Sequence, residues 1–364
     1  MVDSKQQWKA WLYLAPAIVL LLVFTVWPII NTVSMAFMED YNGLTGLTGQ
    51  TFQFGIKNFQ TVIQYKGFLK CLKNTMLLCL LTVPISTILA LLIAVCLNSI
   101  KPLQKTLQTI FFLPYVTNSI AIGMVFAAMF NIVGNALGTE NEIIVTAGIV
   151  NNVLEFLHDL PLFEAIENML KEWIESLIVM RDVAALAGQE FWTGCLDLLI
   201  KILDAMIIEL PINWINVGSS YEANIAVMTV YIVWNALPFK ILVLLGGLQS
   251  INKQYYDAAK IDGTPRRRVF THITVPLLSP MLAYVIITGF IGGFKEYTSI
   301  VGIFGVNMGP ADDAGRLNTI VGYIYDALPG HKYGRASAAA LILFAIIFVV
   351  TMINMQVSKK RVHY

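Results

Sequence analysis

Six apolar runs, near 10 to 31, 74 to 97, 106 to 130, 223 to 247, 277 to 303 and 336 to 357, constrain this chain of 364 residues more than any other feature. Each is long enough to cross a hydrocarbon core, which takes about 20 residues of helix. Backbone N–H and C=O groups in lipid must be satisfied internally, and a helix does so within one segment. The expected fold is therefore all-α and integral to a membrane, a bundle of six spans. Composition agrees, with 57% of residues hydrophobic and 13% charged, against about 25% charged in soluble domains. The first run is too long for a signal-peptide core and no small-residue cleavage site follows it, so it reads as a retained helix.

Loop charge sets the expected orientation. With both termini cytoplasmic, the inner segments carry twelve bases against three acids, and the outer ones ten bases against nineteen acids. Lys and Arg concentrate on the cytoplasmic side of membrane proteins, so the segment from Asn252 to Pro276 is expected inside. Between Asn131 and Tyr221 thirteen acids face three bases, a net charge of −10. So acidic a loop disfavours nucleic acid and anionic lipid and suits an external position.

Within that loop, Phe163, Ile166, Leu170, Trp173 and Leu177 recur at helical spacing, and after Gly188 so do Leu196, Leu199, Leu203, Met206 and Leu210. Both runs read as amphipathic helices. Two arrangements fit them. One is a hairpin outside the bilayer whose stripes bury each other or the rest of the chain. The other lays the helices on the lipid interface, which their acidic faces oppose.

Side chains that carry out covalent chemistry are scattered. Cys71, Cys79, Cys96 and Cys195 form no C-x-x-C pair, and His158, His272, His331 and His363 have no partner at ligand spacing. Neither a metal site nor a disulfide framework is expected. The phosphate-cradling pattern G-x-x-x-x-G-K-[ST] is absent, and a chain that hydrolyses ATP needs such a loop. The chain is expected to be no enzyme and to hold no cofactor. Any ATP must sit on a partner.

The segment Tyr256-Asp257-Ala258-Ala259-Lys260-Ile261-Asp262-Gly263, continuing through Phe270 and Ile273 to Pro276, lies between the fourth and fifth apolar runs. Gln254 to Ile261 is expected to form a short helix presenting Tyr255, Ala258 and Ala259, whose small alanines permit close approach. Gly263 supplies a turn that needs no Cβ, and Pro265 starts a second helix. On that helix Phe270 and Ile273 repeat at i, i+3 and can enter a groove. An ordinary interfacial connector obeying the charge rule is the plainer reading of the same residues.

The spacing of Asp257, Ala258, Ala259, Gly263, Ile273 and Pro276 resembles the EAA loop of permease subunits of ATP-driven importers, with Asp257 where Glu is usual and Thr264 where Ala is common. Further motifs in family order resemble the carbohydrate-uptake branch, the permeases for maltose, glycerol phosphate and raffinose. They include Leu14-Ala15-Pro16, Trp27-Pro28, Gly55-Ile56-Lys57-Asn58-Phe59, Gly247-Leu248-Gln249, Asn318-Thr319 and Tyr333-Gly334-Arg335. The resemblance implies a six-helix ABC importer permease bundle in a bacterial or archaeal cell membrane. It implies a second permease subunit, two ATP-binding subunits, an extracytoplasmic solute-binding protein and a carbohydrate substrate as partners. Residues 153–210 then form a helical extracytoplasmic insertion between landmarks usually close together. By resemblance to the maltose system it either meets the binding protein or is a lineage-specific addition.

Ionisable and aromatic residues inside apolar spans are candidates for a transport path. Asn235 and Phe239 on the fourth run, and Glu296 and Tyr297 on the fifth, suit a sugar, whose hydroxyls take hydrogen bonds while its apolar face covers a ring. Phe239 and Tyr297 fit equally as packing residues, and Lys240 fits a residue that snorkels to the inner surface. The competing function is a self-sufficient secondary transporter or channel, uncoupled from ATP, which has no use for a cytoplasmic docking loop.

Overall fold

A computed structural model describes residues 7–39, 41, 52–100, 104–135, 144–204 and 210–361. Met206, and from the charge counts Asp3, Lys5, Asp40, Lys101, Glu140, Glu142 and Glu209, lie outside these residues, as does His363. Four described helices are long and apolar enough to cross a membrane, and six if each of two bent pairs counts as one span.

The first helix, α1, runs through Gln7–Leu21 and Trp27–Phe37, joined by a π-helical turn at Leu22–Val26. Its apolar side chains point outward along most of its length, an arrangement that hydrocarbon accepts and water does not. Among the described residues its end packs against the last helix and against the short helix that follows α1. Next come α2 (Lys57–Gln64) and the 34-residue α3 (Lys66–Ser99). Asn58 of α2 donates to Ala36 O (3.1 Å) and Met38 O (2.7 Å), fixing how α1 leaves the bundle.

The third apolar run is not one straight helix. It folds as α4 (Gln104–Val116) and α5 (Ser119–Phe130), bent by 99°. Pro114 has no N–H to extend the first helix, and Asn118 caps the second, accepting from Ile120 N at 2.9 Å. A proline followed four residues later by a capping Asn was the legible signal of that break.

After α5 comes one short antiparallel pair, β1 (Ile132–Asn135) and β2 (Ile144–Ala147), in which Val133 pairs with Thr146, among described elements that are otherwise helical. Then follow α6 (Ile149–His158), α7 (Pro161–Leu186) and α8 (Glu190–Asp204). Helices α7 and α8 pack on each other. Their seam is narrower than the stripes suggested. Leu170 and Ala184 are buried and Leu177 half-buried, while Phe163, Ile166, Trp173 and Leu199 stay exposed. The residues seven apart, not the whole amphipathic face, close the hairpin.

The fourth run is the 30-residue α9 (Tyr221–Ser250), which packs more extensively on α3 than any other pair of elements does. Next come α10 (Lys253–Ile261) and α11 (Arg266–Leu277), then α12 (Ser279–Phe294), which meets α11 at 66°. The fifth run also breaks: α13 (Thr298–Phe304) is separate from α12. Two more helices, α14 (Ile320–Asp326) and α15 (Tyr333–Arg361), complete the chain.

Helix α3 is the spine. Its Cys79 and Val83 join the core made with α12, α14 and α15, Leu78 the core with α5, α9 and α13, and Ala90 and Ala94 the core with α4, α9 and α12. Where α5 meets α13 the contact is backbone to backbone, since a Cβ on Gly123 would stand 2.7 Å from Gly302 Cα.

Candidate transport path and coupling hairpin

A cavity of about 350 Å³ opens where α3, α4, α9 and α12 converge. Asn235 and Phe239 reach it from α9, Glu296 from the break after α12, and Tyr115 from the end of α4. Tyr297 does not line it, but stacks on Tyr325 with ring centroids 4.5 Å apart.

Each lining residue is held by a second contact. Asn235 donates to Ser119 Oγ at 3.2 Å, and the hydroxyl of Tyr231, one turn away, bonds the carbonyl of Ser119. Both therefore grip the first residue of α5, at the bend. Phe239 stacks on Tyr115 at 6.0 Å, so an aromatic pair forms one wall. Glu296 Oε1 accepts from Tyr297 N (3.2 Å) and Ser299 N (3.1 Å), capping α13. Its carbonyl accepts from Thr319 Oγ1 at 2.8 Å, joining the break to the segment before α14. The residue singled out as a substrate ligand is thus also the helix cap that makes the fifth span discontinuous.

Lys240 does not snorkel. It is 4% exposed, and its ammonium donates to Ser86 Oγ (2.7 Å), Thr87 Oγ1 (2.9 Å) and Val83 O (3.2 Å). All three ammonium donors are satisfied by α3, the condition under which a buried charge persists. No ion pair joins Lys240 to Glu296 among the described residues, although both line the cavity. Nothing local to Lys240 points to its partners. Ser86 and Thr87 lie more than 150 positions away, and their hydroxyls look ordinary in an apolar run.

At the other end of α9, Asn252 caps α10, accepting from Gln254 N at 3.0 Å. Helix α10 closes with Gly263 at φ +65, with Gly263 N donating to Lys260 O (3.1 Å) and Thr264 N to Ala259 O (3.0 Å). This pair of bonds is the Schellman turn, which favours glycine. Pro265 stands one residue earlier than expected, as the cap of α11 rather than its first helical residue. Its ψ of 146° is extended.

Phe270 begins a π-helical stretch, Phe270–Thr274, in which Val275 N donates to Phe270 O. Pro276 follows at once, and its nitrogen has no proton for the α-helical register. The same device occurs in α1, where Trp27 N donates to Leu22 O just before Pro28. Tyr256 and Thr274 meet through their hydroxyls at 3.3 Å, bracing α10 on this stretch.

The two alanines differ. Ala258 is exposed, whereas Ala259 is buried within the hairpin. Asp257 is exposed and pairs with Lys260 at 3.5 Å. Ile273 and Ala258 line a shallow groove of about 410 Å³ with Tyr255, Asp262 and Thr264. Phe270 and Pro276 are half-buried beside it. Ile261, which sequence reasoning passed over, stands 87% exposed at the tip.

The chain matches, over residues 83–364, the family model described as a binding-protein-dependent transport system inner membrane component. It is 24% identical to the arabinooligosaccharides transport system permease protein AraP of Bacillus subtilis, over 96% of this chain and 88% of that one. It is 25% identical to the multiple sugar-binding transport system permease protein MsmF of Streptococcus mutans, over 96% and 95%. Among solved structures, it superposes with TM-score 0.66 and 20% identity on a chain of a bacterial ABC transporter involved in the import of alginate, covering 98% and 97%. The fold is thus that of an importer permease, and the chain belongs to the family of inner-membrane components of binding-protein-dependent transport systems.

Proposed function

We propose that this chain is one of two permease subunits of an importer that moves a carbohydrate across the membrane, driven by ATP bound to two partner ATPase subunits. An extracytoplasmic binding protein delivers the sugar. The chain itself performs no covalent step and holds no cofactor. Both termini and the α10–α11 hairpin face the cytoplasm, and residues 153–210 face outward, within reach of the binding protein.

One observation carries the coupling: the hairpin is continuous with two walls of the cavity. It joins α9, which bears Asn235 and Phe239, to α12, which leads directly to Glu296. Asn235 lies 15 residues before the end of α9, about 22 Å along the helix axis. A partner that grips Ala258, Ile261 and the groove beside Ile273, with Asp257 and the turn at Gly263, moves the hairpin, and the hairpin moves both walls together. Phe270 and Pro276 sit at the π-helical stretch where α11 can bend. Rocking one wall against α3 exposes a central site to each side in turn, the alternating-access scheme. Named relatives that carry arabinooligosaccharides or multiple sugars support a saccharide substrate for this chain. Asn235, Glu296 and the Tyr115–Phe239 wall supply the hydrogen bonds and ring faces such a substrate needs.

Purification of the tagged chain from its native membrane tests the proposal. A second multi-span chain and a soluble chain carrying G-x-x-x-x-G-K-[ST] are expected with it, and reconstituted vesicles are expected to take up sugar only with ATP and the binding protein. Recovery of this chain alone, moving solute without nucleotide, would establish the secondary transporter instead.

A further inference from the structure

A larger cleft, of about 870 Å³, lies near the other end of α3, between its first turns, the residues around 306–318, α14 and the start of α15. It shares α3 with the cavity, but Lys70 in the cleft and Thr82 in the cavity are 12 residues apart, about 18 Å along the helix. Its lining has a distinct chemistry. Tyr65 is more than half exposed and stands 6.0 Å from Tyr323, so a ring face is open to a ligand. Asn318 donates to Asp326 at 2.6 Å, while its carbonyl oxygen is buried with no donor among the described residues.

The charges are unbalanced. Lys70 pairs with Asp313 at 3.7 Å, and Asp326 already accepts from Asn318. Lys332 and Arg335 also line the cleft, and among the described residues neither side chain makes a hydrogen bond or an ion pair. Arg335 is half-buried at the start of α15. A guanidinium drawn out of bulk water without a carboxylate is costly unless something supplies one. With Lys70 paired to Asp313, the cleft keeps Lys332 and Arg335 against the single carboxylate of Asp326, and an open ring beside that surplus of positive charge matches a ligand with an apolar face and a carboxylate.

We propose that this cleft is a second saccharide site, separate from the cavity and selective for a sugar that carries a carboxylate. Arg335 and Lys332 take the carboxylate and Tyr65 covers the ring. The proposal rests on the carbohydrate reading above. In the orientation given there, the cleft is external, where a saccharide arrives before it reaches the cavity.

Calorimetry on the assembled transporter in nanodiscs, without the binding protein, tests it with three probes: trigalacturonate, maltotriose and hexaglutamate. Trigalacturonate should bind at least about tenfold more tightly than maltotriose, a margin of ~1.4 kcal/mol. The double variant Arg335→Gln with Lys332→Gln should remove that margin, and Arg335→Lys should keep most of it. Equal binding of the two saccharides, or a margin that survives the double variant, would overturn the site. Hexaglutamate binding as tightly, with the same dependence on Arg335, would overturn it in favour of an acidic protein segment. ATPase stimulation by saccharide-loaded binding protein, measured on the same preparation, separates the two levels. Stimulation without a uronate margin removes only the cleft, whereas no stimulation by any saccharide removes the carbohydrate reading with it.

Discussion

In the α7–α8 hairpin, Gly188 stands at φ +68 and Gln189 N donates to Ala184 O at 3.0 Å. In the α10–α11 hairpin, Gly263 stands at φ +65 and Thr264 N donates to Ala259 O at 3.0 Å. Each turn buries the alanine whose carbonyl accepts, and each leaves an aliphatic residue bare just before it, Leu186 at 90% and Ile261 at 87% exposed. Yet α7 and α8 pack chiefly on each other, while α10 and α11 continue directly into α9 and α12. The charges also oppose, with Arg266, Arg267 and Arg268 on one hairpin and the −10 loop around the other. One turn chemistry thus serves two ends. Function follows from what the hairpin is joined to, not from how it turns.

Replacing each glycine separates these ends most sharply. At neither position does any atom lie within 4 Å of an added Cβ, so Gly188→Val and Gly263→Val impose the same left-handed backbone strain with no clash at Cβ. A left-handed conformation costs an L-residue about 1–2 kcal/mol, roughly tenfold in a docking equilibrium. Gly263→Val should lower recovery of the ATPase with this chain by about that factor. Gly188→Val should leave it within about twofold. Equal losses would break the distinction.

A smaller effect is expected from the seam of the insertion. Leu170 is 7% exposed between α7 and α8, and Leu170→Asp places a charge there at a cost of about 2–5 kcal/mol. Hydrogen exchange should rise throughout α7 and α8 and stay unchanged in α10 and α11. Protection lost in both hairpins would mean that they fold as one unit.

The smallest effect is acid sensitivity. Hydrogen bonding to Lys171 holds the Glu167 carboxyl below the usual carboxylate range, with His158 adding to it. A depressed folded pKa stabilises above the unfolded value, about 4.3, and the contribution is lost as pH falls through the folded value. Exchange near the α6–α7 junction should therefore rise on acidification below that range, and Glu167→Gln should abolish the pH response. An unchanged response in the variant would assign it to another group.

The long, uniformly apolar segments were legible because span length is fixed by the bilayer and needs no knowledge of neighbours. The coupling hairpin was legible because Gly263 and Pro265 act locally, although the buried side of Ala259 shows only once α11 folds back. The breaks at residues 117–118 and 295–297 were missed because apolar content alone does not register a capping Asn118 or Glu296. The contacts of α9 with α3 and of α5 with α13 were illegible for a different reason. Lys240 meets Ser86 and Thr87, and Gly123 meets Gly302, only through packing, and no local pattern announces either partner.

Site-directed cross-linking in the assembled transporter separates a hairpin that docks on the ATPase from one that faces outward. With Cys96 and Cys195 replaced by serine, Ile261→Cys and Leu186→Cys place single reporters at the two hairpin tips, beside the buried Cys71 and Cys79. The account predicts that the reporter at 261 cross-links to the ATPase subunit with a yield that changes on adding ATP, while the one at 186 is labelled by a membrane-impermeant thiol reagent from outside. A reporter at 261 labelled from outside, or one at 186 cross-linked to the ATPase, would contradict it.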